Sequence, residues 1–357
     1  MTAPRYAVVV PTLGRPSLGA LLRALADAEG PPPERVVLVD DRPLDDCRPL
    51  AVDVPPRLAG LVDVVAACGR GPAAARNCGW RTAPEPWIVF LDDDVVPGRT
   101  WAADLAADLA AAGPRTAAVQ ARIRVPLPEG RRPTDWERTT AGLASAAWIT
   151  ADLACRRTAL ESVDGFDERF PRAFREDADL ALRLSAAGWS LRRGRRCTEH
   201  PVRPADRWVS LRSQAGNADD VLMTRLHGAD WYRRAGAARG RITRHAVVTG
   251  LAAAALALAA LRRPGPALAC AGLWAAGTAE FALARILPGP RTREEVAVMA
   301  ATSVLIPPAA VGHRLRGMVL HRSVRPHPGA QVSGDGQRRE RAAVPVGTAP
   351  AGRDPGR

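Results

Sequence analysis

Lysine is absent from this sequence, and all 50 basic residues are arginine. Without lysine there is no P-loop, whose phosphate grip requires one. A sugar-phosphate nucleotidyltransferase is excluded on the same ground, because it needs a lysine-bearing glycine-rich loop near its first strand. Nowhere do the glycines form GxGxxG behind a strand, which argues against a dinucleotide-dependent oxidoreductase. The six cysteines (Cys47, Cys68, Cys78, Cys155, Cys197 and Cys270) contain no CxxC pair and no regular framework. They read as small, partly buried thiols of a reducing cytosol. The first apolar run, in "MTAPRYAVVVPTLGRP", is broken by Pro11 and is too short for a signal-peptide core. It reads as a strand, so the N-terminal domain is expected to stay cytoplasmic. There are no internal repeats.

What is present is 357 residues that are 47% hydrophobic, enough for one large domain with an appendage or for two domains. The formal charge of +13 lies largely beyond residue 230. All-arginine basicity follows genome composition, so no nucleic-acid partner is inferred from it. Residues 6–10, 35–39, 61–66 and 87–91 are short, β-branched-rich runs, continuous in hydrophobicity as strands buried on both faces of a parallel sheet are. Between the first two, Leu18, Leu21, Leu22 and Leu25 form a helical stripe that Ser17 can cap and Gly30 stops. Helices at 72–82 and 99–112 follow the third and fourth strands, and the alternation predicts an α/β sheet with right-handed crossovers. Further on, strands are expected near 116–124, 147–153 and 189–193, and helices near 156–163, 175–187 and 207–227.

The segment "WIVFLDDDVVPG" ends a buried strand in three carboxylates, Asp92, Asp93 and Asp94. At the carboxyl end of a strand, where α/β sheets bind ligands, Asp-x-Asp oxygens can hold Mg²⁺ or Mn²⁺. A solvated acidic turn or a helix cap is the plainer alternative. In "FREDADLALRLSAAGW", Asp177 recurs with Leu180, Ala181 and Leu184 at helical spacing, which puts it on the buried face beside Glu176. A positioned carboxylate there can take a proton from an attacking hydroxyl. Asp179, four residues before Arg183, is explained by an ordinary surface ion pair. Asp40 and Asp41 end the second strand, where an acid can accept hydrogen bonds from a base or ribose. In "GRGPAAARNCGW", Arg76 beside Asn77 suits a phosphate; an arginine on an exposed helix face is the alternative.

Together, "VVVPTLGRP", "VLVDDRPLDD", "GPAAARNCGW", "WIVFLDDDVVPG", "SVDGFDERF" and "FREDADLALRLSAAGW", in this order over residues 6 to about 200, resemble a family 2 glycosyltransferase of GT-A fold. The resemblance implies an α/β, Rossmann-like, mostly parallel sheet flanked by helices, and single-displacement, inverting transfer from a nucleotide-diphosphate sugar to a hydroxyl acceptor. It implies nucleoside contacts at Thr12 and at Asp40 or Asp41, and diphosphate contacts at Arg76 and Asn77. The divalent cation (Mn²⁺ or Mg²⁺) would lie on Asp92 and Asp94, with Asp93 between them and His200 of "TEHPVRP" as the matching histidine. The base would be Asp177, with Glu176 beside it. The pattern departs at Asp152, where relatives often have Asn, and in "VDGFDE"; both are expected near the sugar and acceptor pocket. A catalytically silent nucleotide-sugar-binding or membrane scaffold module is the alternative reading.

On this reading residues 1–232 are the GT-A domain and 233–245 a basic linker holding five arginines. Residues 246–316 are a hydrophobic helical region, and 317–357 an Arg/Pro/Gly-rich tail expected to be disordered. The apolar stretches 246–261, 266–287 and 296–311 are candidate membrane helices, each short or interrupted for a span of about twenty residues. Arginines before the first favour a cytoplasmic catalytic domain. Three crossings would place the tail outside, so either only two stretches cross or one lies in the interface. The partners expected are a nucleotide-sugar donor, a glycan, lipid or secondary-metabolite acceptor, and the cytoplasmic face of the cell membrane.

Overall fold

The computed structural model describes residues 4–43 and 48–327. The expected α/β sheet is present, with eight strands: β1 (Tyr6–Thr12), β2 (Arg35–Asp40), β3 (Val62–Ala66), β4 (Trp87–Leu91), β5 (Val96–Pro97), β6 (Thr116–Arg124), β7 (Asp152–Arg156) and β8 (Ser190–Glu199). Their order across the sheet is β3-β2-β1-β4-β7-β6-β8-β5. The β3-β2-β1-β4 half is parallel, β7 runs antiparallel to both its neighbours, and β6 and β8 are parallel. Tyr6 to Val10 and Trp87 to Leu91 are buried throughout, as a strand covered on both faces requires.

One face of the sheet is covered by α1 (Ser17–Asp27) and α3 (Trp101–Ala110), whose Leu18, Leu21, Leu22, Trp101 and Leu105 join Val8, Val36 and Val89 in one core. Pro16, with no side-chain cap bond, precedes α1, so Ser17 begins the helix rather than capping it. The opposite face carries α2 (Pro72–Thr82), with α5 (Arg157–Ser162) and α6 (Glu176–Ala186) beside it. Gly79 lets α2 lie directly on the sheet: a Cβ there would sit 2.4 Å from a Val9 methyl. Between β6 and β7 lies α4 (Asp135–Ala141), closed by a capping box of Thr134 and Glu137.

Three sequence expectations move. The seventh strand is 152–156, not 147–153, because Trp148 turns with a φ of 64° before the chain enters the sheet. The strand expected at 189–193 continues to Glu199, its arginines mostly outward. The helix expected over 207–227 is broken by a 3₁₀ turn at Ser213–Ala215 into α7 (Val209–Arg212) and α8 (Gly216–His227).

After α9 (Trp231–Arg234) come three long helices, α10 (Ile242–Ala260), α11 (Pro264–Ile286) and α12 (Arg293–Leu320), each long and apolar enough to cross a membrane. The first begins inside the expected linker. The third runs on through Pro307 and Pro308 and four residues into the expected tail. Gly317 packs with a Cβ position 2.8 Å from the Ala218 Cα of α8. Residues 317–327 are therefore placed by packing against the N-terminal domain; residues 328–357 and Cys47 lie outside the described residues.

Candidate active site

Four strand ends and the start of α6 converge on one acidic cleft. Thr12 closes β1, Asp40 and Asp41 follow β2, the triple aspartate follows β4, and Glu199 and His200 close β8. Glu176 and Asp177 open α6, where Arg175 takes a left-handed φ of 79°. For an arginine this costs about 1 kcal/mol. The guanidinium of Arg175 is anchored on Asp220 of α8 at 2.8 Å.

Arg76 of α2 joins the two acidic groups. It is 2% exposed and donates to Asp92 at 2.9 Å and to Glu176 at 2.8 Å. One guanidinium therefore joins the triple-aspartate turn to Glu176 at the start of α6. With Asp92, Glu176 and Asp177 gathered around one cation, the acids outnumber the base. Burial pushes the carboxyls of Glu176 and Asp177 above their ordinary range, and their mutual repulsion with Asp92 adds to this, against the pull of Arg76.

The three aspartates have different tasks. Asp93, 2% exposed, accepts from Thr12 Oγ1 at 2.8 Å, from Arg15 at 3.1 Å and from Arg203 at 3.4 Å, so it braces the turn. Asp92 is half-buried, and Asp94 is buried with Oδ1 lacking any hydrogen-bond partner. His200 donates from Nδ1 to the Pro201 carbonyl at 3.2 Å, which turns Nε2 toward Asp94 Oδ1 at 3.7 Å. Ligand atoms of Asp92, Asp94 and His200 all lie within 4.8 Å of one another. Two carboxylates and an imidazole, with one buried oxygen unpartnered, fit a divalent cation of the Mn²⁺ or Mg²⁺ class. Arg203 holds the other oxygen of Asp94.

Several expected roles change. Arg76, expected at a phosphate, has both its terminal amino groups engaged by carboxylates in a buried site. Asn77 does not face a diphosphate; it donates to the Phe166 carbonyl and accepts from Phe166 N–H and Trp80 Nε1, fastening the "VDGFDE" loop to α2. Asp93, expected at the donor, is held by Thr12, Arg15 and Arg203. Asp152 is no pocket residue: fully buried in β7, it accepts from Trp101 Nε1 at 2.7 Å, Thr198 Oγ1 at 2.6 Å and Arg196 Nε at 2.9 Å. Asp179 does pair with Arg183, but in the interior, 0% exposed, with His227 Nε2 at 2.7 Å. Asp177 is half-buried, and the more deeply buried acid is Glu176.

At the β2 end, Arg42 occupies Asp40, whose carboxyl it holds below the usual range. Asp41 accepts from the Gly71 N–H at 3.0 Å, keeps a buried, unpartnered Oδ1, and is pushed up by burial. Asp41 is thus the acid with an acceptor left over. Arg15 and Arg203 were missed by sequence reasoning. Arg15 carried a faint signal, lying in the loop after β1, whereas Arg203 carried none among so many arginines. Beside Arg203 a cavity of about 530 Å³ opens between Trp136, Pro204 and Val298 of α12.

Residues 7–163 match the family model described as glycosyl transferase family 2. These residues are thus similar to a family 2 glycosyltransferase domain. Over 137 residues it is 35% identical to the pre-mycofactocin glycosyltransferases of two Mycobacterium tuberculosis strains, CDC 1551/Oshkosh and H37Rv. The matched stretch is 34% of this chain, and the chain spans 28% of those relatives. Among solved structures, the mannosyltransferase PcManGT of Pyrobaculum calidifontis, in complex with GDP-Man and Mn²⁺, is similar at 18% identity. Its TM-score is 0.51, over 89% of this chain and 88% of that one, a likeness of fold. The glycosyltransferase domain thus has the GT-A-like sheet that its motif order implied, followed by three apolar helices.

Proposed function

We propose that this protein is an inverting, cation-assisted glycosyltransferase that moves a sugar from a nucleotide-diphosphate donor to an acceptor hydroxyl at a membrane surface. The reading is carried by one observation, the common cleft in which Asp92, Asp94 and His200 converge opposite the acids that open α6. Asp41, with its free oxygen at the β2 end, receives the nucleoside. Thr12 and Asp93 keep the triple-aspartate turn in place. A cation on Asp92, Asp94 and His200 supplies countercharge to the diphosphate leaving group.

Asp177 is the base. Its Oδ1 accepts from the Ala178 N–H at 2.7 Å, which fixes the carboxylate, while the adjacent Glu176 is committed to Arg76. The acceptor hydroxyl gives its proton to Asp177 as its oxygen attacks the anomeric carbon, and the bond to the diphosphate breaks on the opposite side. Burial makes Asp177 more basic than a solvated aspartate, which suits the task. Nucleotide diphosphates screened by thermal shift, with and without Mn²⁺, identify the donor. Asp177→Asn is expected to keep Mn²⁺-dependent donor binding while lowering turnover about 10²- to 10⁴-fold, read as slow donor hydrolysis. Undiminished turnover removes Asp177 from the role.

Membrane attachment follows from the three helices. The 19 residues of α10 are about 28 Å long, close to a bilayer's hydrocarbon thickness. Arg241 of the preceding turn and Arg244 pair with Glu280, so α10 and α11 form a hairpin based at the glycosyltransferase domain, with Arg262 and Arg263 at its tip. Arg285 near the end of α11 is buried against Asp135 at 2.8 Å, which ties the base to α4. The two ends of α12 meet that same domain. Glu295 accepts from the Asp135 N–H, and Gly317 packs on α8. A helix tied at both ends to one domain lies along it. The hairpin is therefore the crossing element and α12 rests at the interface, exposing Val304, Leu305, Leu315 and Val319. This returns residue 327 to the catalytic side, and the arginines flanking the base support a cytosolic orientation for it. Full recovery in the soluble fraction without detergent overturns the assignment. The cavity beside Arg203 reaches α12, a position suited to an acceptor presented from the membrane.

A further inference from the structure

We propose that Asp179, His227 and His327 form a second metal site, for a dication of the zinc class, that pins the segment after α12 to the first turns of α6. The residues come from three separate places: α6, the end of α8 and the chain beyond α12. Their ligand atoms lie within 4.8 Å of one another. His227 Nε2 is 2.7 Å from Asp179 Oδ1, and His327 Nε2 approaches the same oxygen at 3.4 Å. Asp179 is 0% and His227 4% exposed, so the cluster is not a solvated acidic face.

His327 Nε2 is the atom that points to a ligand. It is closed off from solvent, makes no hydrogen bond, and faces Asp167 Oδ2 at 3.7 Å as well as Asp179. Two imidazoles and a carboxylate are the donor set of a four-coordinate zinc-class site, with the last position open to water or Asp167. A cavity of about 570 Å³ lined by Asp167, His227 and His327 gives that position access. Arg183 engages Asp179 Oδ2 at 2.7 Å, which leaves Oδ1 as the metal-facing atom. Arg183 also donates to the Val163 and Gly165 carbonyls at 2.7 Å, spreading its charge away from the site. To ligate, His227 offers the Nε2 lone pair with its single N–H on Nδ1, so a proton held between Nε2 and Asp179 Oδ1 leaves to solvent as the ion enters.

The test uses the full chain in detergent, stripped with chelator, reloaded with Zn²⁺ or Co²⁺, desalted and assayed for bound metal. His200→Ala isolates this site from the cleft, and His327→Ala removes one ligand from a partly exposed residue beyond the last helix. One equivalent of Zn²⁺ is expected to remain in the His200→Ala protein and to be lost when His327→Ala is added. The Co²⁺-loaded His200→Ala protein should show the intense visible absorption of a four-coordinate ion, and added Zn²⁺ should raise its melting temperature. Absence of that absorption overturns the proposal without relying on the His327 variant. Equal metal content with and without His327→Ala also overturns it.

Discussion

Replacing Arg76 by methionine tests the logic of the cleft without touching substrate. The guanidinium, 2% exposed, is within 3 Å of Asp92 and Glu176, and Asp177 adjoins the latter. Methionine keeps most of the volume and removes the charge, so three carboxylates lose the cation between them. Removing one member of a buried ion pair costs about 3–5 kcal/mol. Here Asp92 is half-buried and can be solvated, and Glu176 is already largely protonated at neutral pH, so the expected loss there is smaller, about 1–3 kcal/mol. The sign of the pH dependence follows from burial. Glu176 is raised to about 8 even with Arg76 present, so a protonated Glu176 is favoured at low pH and the cost of ionising it appears as pH rises. Without Arg76 that cost grows. The Arg76→Met deficit is therefore expected to be smallest from pH 5 to 7 and to grow as pH rises past about 8 toward 9.5, where Glu176 ionises in the parent protein but not in the variant. Melting temperatures of both proteins in the same detergent across that range measure it. A deficit that is constant with pH, or larger in acid, refutes the idea that Arg76 offsets a surplus of buried carboxylates.

Other outcomes follow from the same geometry. Turnover is expected to rise with pH through an apparent pKa above that of an ordinary aspartate, because burial raises Asp177, and the limb should vanish in Asp177→Asn. His200→Ala should raise the Mn²⁺ concentration needed for half-maximal donor binding while leaving metal-free nucleotide binding unchanged. An unchanged Mn²⁺ requirement would remove His200 from the ligand set. Gly79→Ala places a methyl 2.4 Å from Val9 and 2.8 Å from Val39, an overpacking expected to cost about 1–3 kcal/mol, read from the melting temperature.

The sheet was legible because its strands are short, continuously apolar runs ended by turn residues, a pattern local in sequence. The acids of the candidate cation site were legible as a pair, since Asp92 and Asp94 lie one residue apart at a strand end and need no long-range information. The role of Arg76 was not, because an arginine on an alanine-rich helix looks the same whether it meets solvent or two carboxylates, one of them 100 residues away. Periodicity also misjudged α6. It marks one buried face, whereas α6 is wedged between the sheet and α8, with Glu176, Ala178, Asp179, Leu180 and Leu182 all buried. Asp179 therefore looked like half of a surface pair. Asp152 looked like a pocket residue because its partners, Trp101, Arg196 and Thr198, arrive from other elements.

By itself the sequence determined the alternation of strand and helix, the acids at strand ends and the three apolar stretches, since each is written in neighbouring residues. Only the tertiary structure decided which charges meet: which aspartate three donors hold, which keeps a buried oxygen without a partner, which arginine bridges two carboxylates, and which apolar helix packs on α8. The reason is that burial and ion pairing depend on distances through space, and a chain's local pattern carries no record of them.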